Sequence, residues 1–89
     1  MNFAIIGATG NVGRKTLEVL EKSKLKVNKL FLIASNKSVG KKIRFKRKNI
    51  TVQNIKEYDF SKADISFFAA GVKIAKKWVP KAAKKTIVI

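Results

Sequence analysis

The sequence predicts an α/β fold: a mostly parallel sheet with flanking helices and a small β-hairpin added to it. Three observations lead there. Residues 3–6, 30–34 and 64–70 are short apolar runs without alternation, the pattern of strands buried on both faces. Between the first two lies a segment whose apolar residues recur with helical spacing. From 41 to 55 the period changes to two, as in strands wetted on one face.

Taken in order, Phe3-Ala4-Ile5-Ile6 is a strand stopped by Gly7, and Gly7-Ala8-Thr9-Gly10-Asn11-Val12-Gly13 is a glycine-rich turn. A helix follows from Asn11 to about Lys22, with Val12, Thr16, Val19 and Leu20 on its apolar face. Leu30-Phe31-Leu32-Ile33-Ala34 is the second buried strand, ending in the polar loop Ser35-Asn36-Lys37-Ser38-Val39-Gly40. Strand, helix and strand in this order form one βαβ unit with a right-handed crossover. Ile43 and Phe45 alternate with Arg44 and Lys46, and Ile50 and Val52 with Thr51 and Gln53, giving a hairpin whose loop is Lys46-Arg47-Lys48-Asn49. Tyr58 and Phe60 anchor a polar connection to the third buried strand, which ends at Gly71. A helical segment from about Lys73 to Lys85 contains Pro80. Proline lacks an N–H and clashes with the preceding turn, so a break is expected near Trp78-Val79, with Pro80 opening a second short helix. Thr86-Ile87-Val88-Ile89 begins another strand. An apolar strand at the very end of a chain leaves an open sheet edge, which suggests a domain incomplete at its carboxyl end.

Composition narrows the function. The 89 residues are enough for one small domain. No apolar run approaches the roughly 18 residues of a membrane span, and the amino terminus lacks the basic region of a signal peptide; a cytoplasmic location is expected. Cysteine and histidine are both absent, which excludes from this segment disulfides, thiol nucleophiles, histidine acid–base chemistry and Cys/His zinc sites. The 21 Lys+Arg against 5 Asp+Glu give a net charge of +16, which invites comparison with nucleic-acid-binding modules. Seven of the cations cluster from Lys37 to Lys48. Against that reading, the cations are overwhelmingly lysine, whereas phosphate and base recognition favours the arginine fork. A surface for single-stranded nucleic acid would also need exposed aromatics, and all of Phe31, Phe60, Phe67 and Phe68 sit in runs that look buried; only Phe45 does not.

The chemistry points to the glycine turn. Gly7 lets the chain leave the strand tightly, Gly10 lets backbone approach a diphosphate, and Gly13 lets the helix pack close to the strand. The N–H groups of the first helical turn, around Gly10 to Val12, then face the anion, with the helix dipole adding its share. The spacing is G-x-x-G-x-x-G rather than G-x-G-x-x-G, so the match to a Rossmann-like dinucleotide turn is loose. An NAD-preferring domain places an acid about 20 residues beyond the glycines to hold the ribose 2′-OH. Here no acid occurs between Lys22 and Lys56. Lys37 with the hydroxyls of Ser35 and Ser38 can instead meet a 2′-phosphate, which favours NADP, although Lys37 also reads as one more solvated lysine. Gly71 fits two roles, close backbone approach to the cofactor's nicotinamide side or an ordinary turn.

These residues resemble the aspartate-semialdehyde dehydrogenase family. Gly7-Ala8-Thr9-Gly10-Asn11-Val12-Gly13-Arg14 and Leu32-Ile33-Ala34-Ser35-Asn36-Lys37-Ser38-Val39-Gly40-Lys41 carry the likeness. Tyr58-Asp59-Phe60-Ser61, Asp64-Ile65-Ser66-Phe67-Phe68-Ala69-Ala70-Gly71 and Lys77-Trp78-Val79-Pro80-Lys81 continue it in order. The resemblance implies that residues 1–89 are the NADP-binding amino-terminal domain, truncated before the catalytic and dimerisation domain. It implies an NADP-dependent oxidoreductase that converts β-aspartyl phosphate to aspartate semialdehyde through a thioester on a cysteine, with a histidine partner. That activity serves lysine, threonine and methionine synthesis, in a full-length homo-oligomer. Thr9, Gly10, Asn11 and Val12 resemble the family's diphosphate turn, and Lys37 and Ser38 its 2′-phosphate contacts. With cysteine and histidine absent, the 89 residues alone are expected to be inactive. The related N-acetyl-γ-glutamyl-phosphate reductases share fold and mechanism and are the alternative; the residues from Ala34 to Lys41 and Trp78-Val79-Pro80 favour the first. Where the family has a second glycine and then serines after Ala70-Gly71, this chain has Val72, Lys73, Ile74 and Ala75.

Overall fold

The computed structural model describes residues 1–35 and 37–89; Asn36, part of the polar loop read after the second strand, lies outside them. In chain order the elements are β1 (Asn2–Ile6), α1 (Asn11–Lys22), β2 (Lys29–Ala34), β3 (Lys42–Phe45), β4 (Lys48–Asn54), β5 (Ile65–Phe68), α2 (Val72–Ala82) and β6 (Ile87–Val88), with a 3-10 turn at Phe60–Lys62 before β5. The strands form one sheet in the order β3-β4-β2-β1-β5-β6. All neighbours are parallel except the β3–β4 hairpin, which joins the sheet through β4 beside β2 rather than standing apart.

β1 shows why this chain folds as a sandwich of two cores. Phe3 and Ile5 point to one face, where they meet Leu17 and Leu20 of α1 with Leu32, Phe45 and Val52. Ala4 and Ile6 point to the other, among Ile33, Ile55, Tyr58, Phe60 and Ala82. Phe3 to Ile6 are each at most 1% exposed, so both faces of the strand exclude water and no alternation survives. The crossovers β1-α1-β2 and β5-α2-β6 run in opposite directions from the centre. Right-handed connections therefore place α1 and α2 on opposite faces.

Three details depart from the sequence expectation. On α1 Leu20 is buried as expected, but it shares the buried face with Gly13 and Leu17 rather than with Val12 and Val19, which are 64% and 61% exposed. Those valines line a shallow apolar groove with Leu25 and Phe67, along the flank of the helix that faces β5. The hairpin loop is two residues, Lys46-Arg47, both with positive φ (44° and 70°), which is a type I′ turn built without glycine or asparagine. The Lys46 N–H donates to Glu21 Oε2 at 2.8 Å, tying the turn to α1. Finally, α2 runs unbroken through Pro80. Pro80 removes only the bond to the exposed Lys76 carbonyl, which water can satisfy, and the Ala83 N–H still reaches Val79 O at 2.8 Å. Ala82, fully buried, and Trp78, packed 6.3 Å from the Phe60 ring and flanked by the Lys77 and Lys81 ammoniums, hold the last turn to the sheet.

The hairpin yields a test. An L-residue in the left-handed region costs about 1–2 kcal/mol, and glycine returns part of that as unfolded-state entropy. Arg47→Gly is therefore expected to stabilise the fold by about 0.5–1 kcal/mol, read as a higher urea midpoint with unchanged slope. A lower midpoint would mean that Arg47 makes a contact worth more than its backbone strain.

Candidate functional site

The carboxyl ends of β1, β2 and β5, the three strands at the centre of the sheet, open on one cleft of about 240 Å³. β1 lies where the connections change direction, the place where open α/β sheets take ligands. The lining is rich in backbone. The turn after β1 supplies Gly7, Thr9 and Gly10, the end of β2 supplies Ala34 and Ser35, and the segment after β5 supplies Ala69, Ala70 and Gly71. Ile6, Ile55 and Ile74 complete it. None of the five acidic residues reaches this lining.

The turn is built by two close approaches. Gly7 has φ +85°, and a Cβ there would stand 2.8 Å from Ala70 N, so strand end and cleft wall meet only without a side chain. Its N–H donates to Ile33 O at 2.8 Å, and the Ala69 N–H to Ile6 O at 2.8 Å, stitching the three strand ends together. At Gly13 the helix lies so near the strand that a Cβ would collide with Gly7 O and stand 2.8 Å from Ala8 Cα. Gly10 is different: its φ of −78° suits any residue, and a Cβ would make only an ordinary 3.5 Å contact with Gly7 O.

Gly10 is the N-cap of α1, and no side chain caps the helix. The first intrahelical bond is Arg14 N–H to Gly10 O at 2.9 Å, so the N–H groups of Asn11, Val12 and Gly13 have no intrahelical partner. The Gly10 N–H itself donates to Gly7 O at 3.1 Å, which removes it from the expected set of free donors around Gly10 to Val12.

The remaining predicted residues divide. Ser35 lines the cleft and Lys37 is exposed beyond it. Ser38 is buried, and its hydroxyl accepts a 2.8 Å hydrogen bond from Thr9 Oγ1, a link between the glycine turn and the loop after β2. Gly71 is the N-cap of α2 with open space where a Cβ would stand. The side chain of Val12 belongs to the groove between α1 and β5 and Gly13 to the helix–strand contact, so both act at the turn only through backbone. Reading the sequence missed Ile6, Ala34, Ile55 and Ile74 as lining. For Ile55 a signal exists: it is the apolar residue just past the alternating strand, and its N–H donates to Ala34 O at 3.0 Å. Tyr58, read as an anchor, is one. It is buried against Phe31 and Phe60, and its hydroxyl has no hydrogen-bond partner among the described residues. Burial, and then the Asp59 charge, push its pKa up to about 12. The aromatics expected of a nucleic-acid surface are not exposed: Phe45, beside the cationic cluster, is 4% accessible.

A parallel sheet with a glycine turn and an uncapped helix start at its switch point is the arrangement of the nucleotide-binding α/β domains. Comparison with known proteins narrows that class. Residues 2–89 match the family model described as semialdehyde dehydrogenase, NAD binding domain, and the chain belongs to that family. Its cofactor class is accordingly a nicotinamide dinucleotide. Aspartate-semialdehyde dehydrogenase 2 of Vibrio cholerae is 47% identical over 88 residues, covering 99% of this chain and 26% of that protein. The aspartate-semialdehyde dehydrogenase of Aquifex aeolicus is 47% identical over 87 residues, covering 97% of this chain and 26% of its own length. The crystal structure of aspartate semialdehyde dehydrogenase II from Vibrio cholerae, complexed with ASA, superposes with a TM-score of 0.94 at 46% identity, covering 98% of this chain and 29% of that one. The chain thus spans about a quarter of the length of the curated relatives it matches. Among the described residues, no helix is long and apolar enough to cross a membrane.

Proposed function

We propose that this chain is the NADP-holding domain of an aspartate-semialdehyde dehydrogenase, acting in the cytoplasm. The observation that carries this reading is the cleft itself, where three central strand ends converge on a backbone-lined seat with no carboxylate in its wall. The names of the relatives support the aspartate enzyme over the N-acetyl-γ-glutamyl-phosphate reductase alternative.

The residues fit the group. The N–H groups of Asn11 to Gly13, which have no intrahelical partner, receive a diphosphate beside the small residues Gly7 and Gly10. Ser35 and Lys37, past the end of β2, receive the 2′-phosphate of the adenosine ribose, where an acid would repel it. Open backbone at Gly71 leaves room on the nicotinamide side. When bound, the reduced dinucleotide supplies a hydride. The 89 residues contain neither cysteine nor histidine, so their part in reducing β-aspartyl phosphate to aspartate semialdehyde is to bind and orient the cofactor, not to form a thioester. The sulfur nucleophile and its acid–base partner belong to the remaining length that the relatives have.

One titration tests this: NADPH, NADH and a single-stranded DNA, each at low and high salt. NADPH is expected to bind at least about tenfold more tightly than NADH, a difference of about 1.4 kcal/mol. DNA is expected to bind weakly and to be lost at high salt, as non-specific attraction to a +16 chain. Tight, salt-resistant DNA binding with no dinucleotide response would overturn the assignment.

A further inference from the structure

The loop after β2 carries the exposed Lys37, and it is held at two places. Its far end is pinned to the hairpin and to itself: the Gly40 N–H donates to Val52 O at 2.9 Å and the Lys41 N–H to Ser38 O at 3.0 Å. Its middle is tied to the glycine turn by a side-chain bond, Thr9 Oγ1 to Ser38 Oγ at 2.8 Å, between residues 29 apart in sequence. Ser38 is only 9% exposed, so this bond lies in a place where water competes poorly. Thr9 lines the cleft and Lys37 stands exposed one residue before Ser38. A hydroxyl pair thus links the seat proposed for the diphosphate to the loop proposed for the 2′-phosphate.

We infer that Thr9 is a positioning residue for cofactor selectivity: its hydroxyl clips the Ser35–Ser38 loop so that Lys37 is held over the adenosine ribose. This rests on the NADP reading above and deepens it. NADP has a phosphate for the clipped loop to meet; NAD has only a hydroxyl there. Loss of the clip therefore weakens NADPH more than NADH, which has no 2′-phosphate for the loop to meet.

The test uses the 89-residue chain with Thr9→Val, Thr9→Ser, Ser38→Ala and the double variant Thr9→Val/Ser38→Ala, each checked for a native circular-dichroism spectrum and titrated with NADPH and NADH. A net hydrogen bond of ordinary strength predicts that Thr9→Val raises the NADPH dissociation constant about five- to tenfold more than that of NADH. Thr9→Ser, which keeps an Oγ, restores NADPH binding. Ser38→Ala loses NADPH binding at least as much, and the double variant is no worse than Ser38→Ala, because the Thr9 hydroxyl then has no bond to Ser38 left to lose. If Thr9→Val weakens both cofactors equally, Thr9 serves the shared diphosphate and the inference is wrong. Additive losses in the double variant, or no change in NADPH binding, overturn it too. If the parent chain binds neither dinucleotide, or both alike, it is the NADP reading that has failed, and the clip falls with it.

Discussion

Gly13→Ala is expected to remove at least about 3 kcal/mol of stability, a large fraction of what so small a domain has. The added methyl has nowhere to go. Its carbon would overlap Gly7 O and stand 2.8 Å from Ala8 Cα, and both neighbours are backbone that cannot rotate away. Relief requires α1 to lift from β1, which would open the contacts of Leu17 and Leu20 with the first core. Overpacking a core commonly costs about 1–3 kcal/mol, and a clash with fixed backbone lies at the upper end or beyond. A domain of this size has roughly 5–10 kcal/mol in total. Urea unfolding followed by circular dichroism measures the loss, and Arg14→Ala, one residue on and exposed, serves as the control with a change below about 0.5 kcal/mol. A Gly13→Ala chain as stable as its parent would show that the helix does not approach the strand as closely as described.

Gly10→Asp is expected to do two opposite things. The position has extended backbone and open space, so an aspartate fits without strain. As the N-cap of an uncapped helix it accepts from the orphan N–H groups and meets the positive end of the helix dipole, which should raise stability by about 0.5–1 kcal/mol. Dinucleotide binding should collapse at the same time. The carboxylate occupies the donors proposed for the diphosphate and repels it, by about 3 kcal/mol per unit charge at 5 Å with an effective dielectric constant near 20. Each 1.4 kcal/mol is tenfold, so NADPH affinity should fall by more than about a hundredfold. Gly10→Asn separates the two effects, since it caps the helix as well but carries no charge and should lose far less. A Gly10→Asp chain that keeps its NADPH affinity would remove the diphosphate from the start of α1.

What was legible in the sequence was what depends on near neighbours along the chain. The buried strands, the hairpin and the glycine turn each follow from short-range spacing, and the structure places them in that order. The buried face of α1 was misread because a search for apolar residues cannot see a glycine. Gly13 heads the stripe that meets the sheet, yet Val12 and Val19, with helical spacing of their own, outvoted it. Pro80 was given a full helix break because the rule concerns helix interiors. Two residues from the end of α2, the lost bond falls on a carbonyl that water can reach. Gly7, Gly10, Gly71 and Ser35 drew notice through local chemistry, and the structure puts them in the lining of the cleft. The tie between Thr9 and Ser38 could not be read that way, since it depends on β1 and β2 lying side by side with Ile6 level with Ile33.

The placement of Trp78 has a practical consequence. The chain has a single tryptophan, packed on Phe60 under the α2 side of the sheet and absent from the lining of the cleft. Its intrinsic emission is thus an optical gauge of whether the last helix is seated, undiluted by a second indole. Signals from a bound reduced nicotinamide, which fluoresces in its own band, can be followed alongside it in the same cuvette.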